Sequence, residues 1–135
     1  MDKNYTVRKI LNNDEIEDCT NVICKAFITV ASDYNITRDN CPSYASFRTV
    51  EQIRAIKEDG FLMYSLFDRE TRTGFVCFKE IEKGVYVLGL LSVLPEYRHL
   101  GYGKKLLDFA FDFVKAMEDL AKRRERLKRK AERIS

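Results

Sequence analysis

Three apolar runs follow one another between residues 61 and 93, and the connections between them are too short for anything but antiparallel pairing. Phe61–Phe67 ends at the polar turn Asp68-Arg69-Glu70-Thr71-Arg72-Thr73, Gly74–Ile81 follows, and Glu82-Lys83-Gly84 turns the chain into Val85–Val93. A parallel partner would require a crossover of roughly a dozen residues or more. The segment is therefore expected to be a three-stranded meander. Such a sheet has to be covered, and the flanking sequence provides helical patterns on both sides of it.

Upstream, Tyr5–Ile10 alternates weakly and reads as a first strand. Asn12-Asn13-Asp14 offers N-cap residues, and Glu17 three positions after Asp14 resembles a capping box. Ile16, Cys19, Ile23 and Phe27, with Val22 and Ala26, then repeat at helical spacing, predicting a helix over about 14–30. The polar stretch 32–43 reads as a long loop. Thr49 is positioned to cap a short second helix carrying Val50, Ile53 and Ile56, ended by Asp59-Gly60. Downstream, Pro95 stops the last strand, and Leu106, Leu107, Phe109, Ala110, Phe113, Val114 and Met117 mark a strongly apolar helix. The fold class expected is α+β, a mixed and mostly antiparallel sheet flanked by helices.

At 135 residues, with 45% hydrophobic composition, the chain is large enough for one domain with a real core. No apolar run approaches the ~20 residues that span a bilayer, and the opening Met1-Asp2-Lys3-Asn4-Tyr5-Thr6 is polar. The expectation is a soluble, cytoplasmic protein without membrane contact. Cys19, Cys24, Cys41 and Cys77 form no CxxC pair, their spacing is irregular, and His99 is the single histidine. That argues against a metal site and for reduced, partly buried small apolar side chains.

Between the last strand and the apolar helix lies Val93-Leu94-Pro95-Glu96-Tyr97-Arg98-His99-Leu100-Gly101-Tyr102-Gly103-Lys104. Two glycines let backbone approach a ligand closely. The helix that follows offers unpaired N–H groups and the positive end of its dipole, which together suit a phosphate. Arg98 and Lys104 add charge. The Walker A pattern fails, because Arg98 and Lys105 stand where Gly and Ser/Thr are required. The GxGxxG pattern fails at Leu106.

What the turn resembles is the signature of the GNAT N-acetyltransferases, (Arg/Gln)-x-x-Gly-x-(Gly/Ala) behind a strand ending Val-x-Pro. Here these are Arg98-x-x-Gly101-x-Gly103 and Val93-Leu94-Pro95. The resemblance covers roughly residues 5 to 117 and implies acetyl-CoA as co-substrate and no metal. By that resemblance the amides of Arg98, His99, Leu100, Gly101, Tyr102 and Gly103 hold the coenzyme A pyrophosphate, with Lys104 beside them. Leu91, Ser92 and Val93 pair with the pantetheine like an added strand, and one amide there polarises the thioester carbonyl. The implied reaction is direct acetyl transfer to a small-molecule or peptide amine.

Catalytic side chains are far less legible. Residues 85–94 contain no Asp or Glu, so Glu80, Glu96 and Ser92 are the candidates for general base or proton relay. Each competes with a plainer reading: a solvated charge for the two glutamates, pleat filling for Ser92. Tyr86 reads equally well as a core or sheet-face aromatic. Acceptor choice is expected in the loop of about 31–48, where Asp33, Tyr34, Asp39, Tyr44 and Phe47 are available.

The resemblance stops after Met117. The last 18 residues carry eight Lys/Arg against four acids, a net +4 in a chain of +3 overall, so the body is −1. Strong helix formers without Gly or Pro predict that the apolar helix simply continues as a long basic one. Phe113, Met117, Leu120, Leu127, Ala131 and Ile134 fall on a heptad seam interrupted by Arg124. The expected division is residues 1–117 as a GNAT-like acetyl-CoA-binding region and 118–135 as a basic helical extension, engineered or truncated, with the family's later strands absent. Self-association through the exposed last strand or the long helix is expected. Nucleic-acid binding is disfavoured by the interspersed acids and the lack of aromatics. The competing readings are a catalytically incomplete CoA-binding fragment and an engineered self-associating domain whose basic helix is an interaction module.

Overall fold

The computed structural model describes residues 4–41 and 45–134. β1 (Tyr5–Lys9), β2 (Leu62–Asp68), β3 (Thr71–Glu82) and β4 (Val85–Val93) form an antiparallel sheet in the order β1-β2-β3-β4. β1 and β4 are thus its edges. β2 and β3 are joined by Arg69-Glu70 alone, a connection shorter than the polar run 68–73 suggested. Arg69 takes a left-handed conformation (φ 58°), which suits a two-residue hairpin. Thr71–Thr73 join the strand, where Thr73 Oγ1 donates to Leu66 O at 3.3 Å. The Arg72 guanidinium donates to Ser65 Oγ at 3.0 Å and pairs with Glu15 at 2.8 Å and Asp18 at 3.3 Å.

Helices cover both faces. α1 (Ile16–Asp33) and α2 (Val50–Glu58) pack on one, α3 (Tyr102–Ile134) on the other. Strand alternation sorts the two cores. Met63, Phe75 and Cys77 face Ile16, Cys19, Ile23 and Ile53, whereas Leu66, Val76 and Phe78 face Tyr102, Leu106 and Ala110.

The expected capping box at Asp14 does not form. A 3-10 turn, Asn13–Glu15, precedes α1, Asn12 Oδ1 accepts from the Asp14 N–H at 3.1 Å, and Glu15 turns back to the Leu11 N–H. α1 also runs three residues past 30, carrying Ala31 into a buried position. α2 has the reciprocal cap its sequence advertises. Gln52 N–H donates to Thr49 Oγ1 at 3.2 Å, and Thr49 N–H donates to Gln52 Oε1 at 2.9 Å.

α3 is continuous over 33 residues, about 50 Å at ~1.5 Å per residue. Its sheet-facing stripe of Tyr102, Leu106, Ala110, Phe113 and Met117 ends where the sheet ends. From Glu118 onward every described residue is exposed, Leu127 at 60%. No helix among the described residues is long and apolar enough to cross a membrane.

Candidate active site

β4 is rich in β-branched and aliphatic residues and, after an irregularity beside the turn between Glu80 and Glu82, pairs regularly with β3 from Tyr86 to Gly89, which lies opposite Cys77. The ladder then slips. Leu90 and Leu91 stand together against Val76 before the register resumes with Ser92 opposite Phe75 and Val93 opposite Gly74. Leu90, a non-glycine residue, adopts a left-handed conformation (φ 52°) at this β-bulge. Two side chains brace it. Cys77 Sγ donates to Gly89 O at 3.3 Å, and Ser92 Oγ donates to Leu90 O at 2.6 Å. Gly89, a glycine inside a strand run, is the one sequence signal that could have pointed to a bulge; nothing in the sequence points to Cys77 as a brace.

Beyond the bulge the Leu94 N–H makes a last bond to Thr73 O at 2.8 Å. Pro95, which has no N–H to give, starts the 3-10 segment Pro95–Leu100. Gly101 then takes a left-handed conformation (φ 77°, ψ 17°), and α3 begins. Lys105 N–H, bonding to Gly101 O at 3.1 Å, closes the first helical turn. The N–H groups of Tyr102, Gly103 and Lys104 precede it and have no intrahelical acceptor. Nothing lies within 4 Å of where a Gly101 Cβ would project, and at Gly103 the nearest atom is Val93 Cγ2 at 3.9 Å. The turn is thus an open, donor-rich stretch of backbone at the positive end of a long helix, fit for an anionic group.

Three side chains of the turn are engaged with other parts of the chain. The Arg98 guanidinium reaches across to α1, donating to Ala26 O and to Thr29 Oγ1 (3.1 Å), and its Nε donates to Val93 O (3.3 Å). Tyr102 is buried, stacks on Tyr97, and donates its hydroxyl to Asp68 Oδ2 at 2.7 Å, tying the first residue of α3 to the end of β2. Burial, reinforced by Asp68, pushes the Tyr102 phenol up to about 12. Arg98 and Tyr102 therefore anchor the turn from opposite faces of the sheet. His99 and Leu100 are exposed, and the Lys104 ammonium pairs with Asp108 at 2.9 Å.

Of the carboxylates, Glu96 is exposed in the 3-10 segment. Glu80 lies opposite Tyr86 near the other end of the hairpin, where it accepts from the Gly84 N–H at 2.9 Å. The structure brings Leu91, Ser92 and Val93 next to the glycine turn and leaves Glu80 apart from it. In the loop of about 31–48, Asn40 bonds to Thr37 and to Asn35 O, and Arg38 lies over the Phe47 ring; Tyr34 is exposed and Tyr44 lies outside the described residues.

A groove of about 610 Å³ lies elsewhere, between the β3–β4 turn and the exposed half of α3, with Glu80, Tyr86, Met117, Leu120 and Arg129 in its walls. It holds neither the turn nor the bulge, and it is the gap left where α3 outruns the sheet. All four cysteines are free, Cys19 and Cys77 buried. Among the described residues no three His, Cys, Asp or Glu side chains gather as a metal site would require.

A family model described as the acetyltransferase (GNAT) family matches residues 27–128. The chain belongs to the GNAT acetyltransferase family. Solved structures share the fold. A GNAT family acetyltransferase from Brucella melitensis in complex with acetyl-CoA is 22% identical, with a TM-score of 0.65 over 84% of this chain and 70% of that one. The PaiA N-acetyltransferase from Thermoplasma acidophilum in complex with coenzyme A is 24% identical, with a TM-score of 0.61 over 84% and 74%. The ribosomal-protein-S18-alanine N-acetyltransferase from Escherichia coli is 13% identical, with a TM-score of 0.63 over 84% and 61%. At these identities the likeness is one of fold. No curated protein sequence matches the chain significantly.

Within this GNAT domain Cys77 gives a direct chemical readout. Burial pushes its thiol up to about 12, from an ordinary value near 9. Because the folded state favours the neutral thiol, the corresponding stability is fully present below pH ~9 and is lost as pH rises toward ~12. In native protein at pH 8, Cys77 is expected to resist iodoacetamide and to react only after unfolding in urea; peptide mass spectrometry at each state checks this.

Proposed function

We propose that the chain is an acetyl-CoA-dependent N-acetyltransferase that passes acetyl to an amine by direct attack. The observation that carries this reading is the pairing of two backbone features on one continuous segment. A bulge in edge strand β4 lies a few residues ahead of an open glycine turn at the N-terminus of α3. Acetyl-CoA, bound by two of the relatives or as its free coenzyme form, supplies an activated acyl thioester. The amides from Arg98 to Gly103 would hold its pyrophosphate with Lys104 nearby, and Leu91, Ser92 and Val93 would align its pantetheine along the open edge of β4.

The protein's contribution is positioning and electrostatics. Edge pairing fixes the thioester relative to the incoming amine, and an amide of the bulge stabilises charge developing on the carbonyl oxygen. Glu96, in the 3-10 segment beyond β4, and Glu80, toward the β3–β4 turn, are the carboxylates we propose for the amine proton, reached through water. The test is titration calorimetry with acetyl-CoA followed by free-thiol release across a panel of small and peptide amines. Saturable binding with amine-dependent thiol release is expected. Binding without release for any amine would select a coenzyme-binding domain, and no binding would refute the reading.

We also propose that the chain self-associates. The outer edge of β4 exposes Val85, Val87 and Leu88, and the projecting half of α3 exposes Leu120 and Leu127. A clean monomer by light scattering at high concentration would contradict this.

A further inference from the structure

The β4 bulge is held by side chains as well as by its ladder, and the way it is held specifies where its amides point. In a trans peptide the C=O and N–H of one plane are directed oppositely. Leu90 O accepts from the Ser92 hydroxyl at 2.6 Å, and Ser92 is only 3% exposed, on the face it shares with Phe75. The Leu91 N–H of that peptide is consequently turned away from the buried side. One peptide earlier, Gly89 O accepts from the Cys77 thiol of β3 at 3.3 Å, so the Leu90 N–H is turned away from β3. The left-handed Leu90 is the residue whose rotation sets the angle between these two planes. A strained residue of this kind persists only where its surroundings over-determine it, and Ser92 and Cys77 are the two donors that do so.

We propose that Ser92 is a positioning residue for acetyl transfer. Its hydroxyl locks the Leu90–Leu91 peptide so that the Leu91 N–H faces the thioester carbonyl, and Cys77 steadies the preceding peptide. This rests on the acetyl-CoA reading above and deepens it. It also gives Ser92 a role different from a proton relay, since its proton is committed to Leu90 O. A hydroxyl donating to a peptide carbonyl further strengthens the N–H of the same peptide as a donor, so the brace acts on both the aim and the strength of Leu91 N–H.

The discriminating experiment is isotope-edited infrared spectroscopy of acetyl-CoA labelled with carbon-13 at the carbonyl, bound to wild type and to Ser92→Ala, with steady-state kinetics alongside. Wild type is expected to lower the carbonyl stretch relative to free acetyl-CoA. Ser92→Ala should return it toward the free value and reduce kcat about 10-fold, with KM for acetyl-CoA little changed. Affinity for coenzyme A, which lacks the acyl carbonyl, should be the same in both. A stretch unchanged by the substitution overturns the proposal, and so does a parallel loss of coenzyme A affinity, which would mark Ser92 as merely structural. An altered pH profile of kcat with an unchanged stretch would establish the relay instead. Should Ser92→Ala fail to fold, Ser92→Cys retains a weaker donor and should give an intermediate stretch; a wild-type stretch there counts against the proposal. Failure of wild type itself to bind acetyl-CoA refutes the underlying reading, a result distinct from all of these.

Discussion

Replacing Gly101 by tryptophan is expected to abolish binding of acetyl-CoA and coenzyme A, a loss of at least about 100-fold that calorimetry would register as no measurable heat. Two effects act together. Gly101 sits at φ 77°, where a residue with a Cβ costs about 1–2 kcal/mol. More decisively, the space into which its side chain would grow is open, with no atom within 4 Å, and in the proposed site the pyrophosphate would lie against this turn. The indole fills it without having to displace the protein, so the domain should still fold. Gly103→Ala is the matching control. Its Cβ would meet only Val93 Cγ2 at 3.9 Å, an ordinary contact, and alanine favours the helix by up to about 1 kcal/mol. Binding should survive Gly103→Ala. Unchanged affinity in Gly101→Trp would remove the turn from the site.

Phe78→Ala should be the most damaging single change to stability, about 3–5 kcal/mol by urea unfolding. Phe78 is 1% exposed at the centre of β3. It stacks on Tyr64 at 5.7 Å between ring centroids and meets Phe113 of α3 at 5.0 Å, while Phe109 packs on Tyr64 at 4.7 Å. These rings are the main apolar link between the sheet and the middle of α3. Removing one leaves a cavity that backbone already paired on both sides cannot close. Because the glycine turn is the N-terminus of that same helix, coenzyme affinity should fall as well. A loss below about 1 kcal/mol would mean that α3 is held chiefly by its first turn, through Tyr102 and Asp68.

The meander, the three helices and the turn were legible in the sequence because each rests on a local signal. Short connections force antiparallel pairing at 68–73 and 82–84, Thr49 and Gln52 are spaced for a reciprocal cap, and Arg98-x-x-Gly101-x-Gly103 behind Val93-Leu94-Pro95 marks one family's turn. Where local signals compete, they mislead. Asp14 with Glu17 offers a capping box, yet the Asp14 N–H goes to Asn12 instead, and Glu15 accepts from Leu11 N–H. Thr71–Thr73 read as turn, yet Arg72 enters the strand because Ser65 of the neighbouring strand and the sequence-distant Glu15 and Asp18 converge on it.

Arg98 and Tyr102 show the same limit inside the site. Both stand in the glycine turn and both read as ligand-side residues. Folded, Arg98 spends its guanidinium on α1 and Tyr102 its hydroxyl on Asp68, because acceptors distant in sequence lie within reach of their long side chains. The backbone of the turn, whose conformation depends on its own glycines and the helix start, was determined by the sequence alone. So was the membership of β4 in the sheet. What only the tertiary structure decided is how the bulge is braced, by Cys77 from one strand and Ser92 from the next. A register slip is a property of two strands at once, and no single strand's pattern contains it.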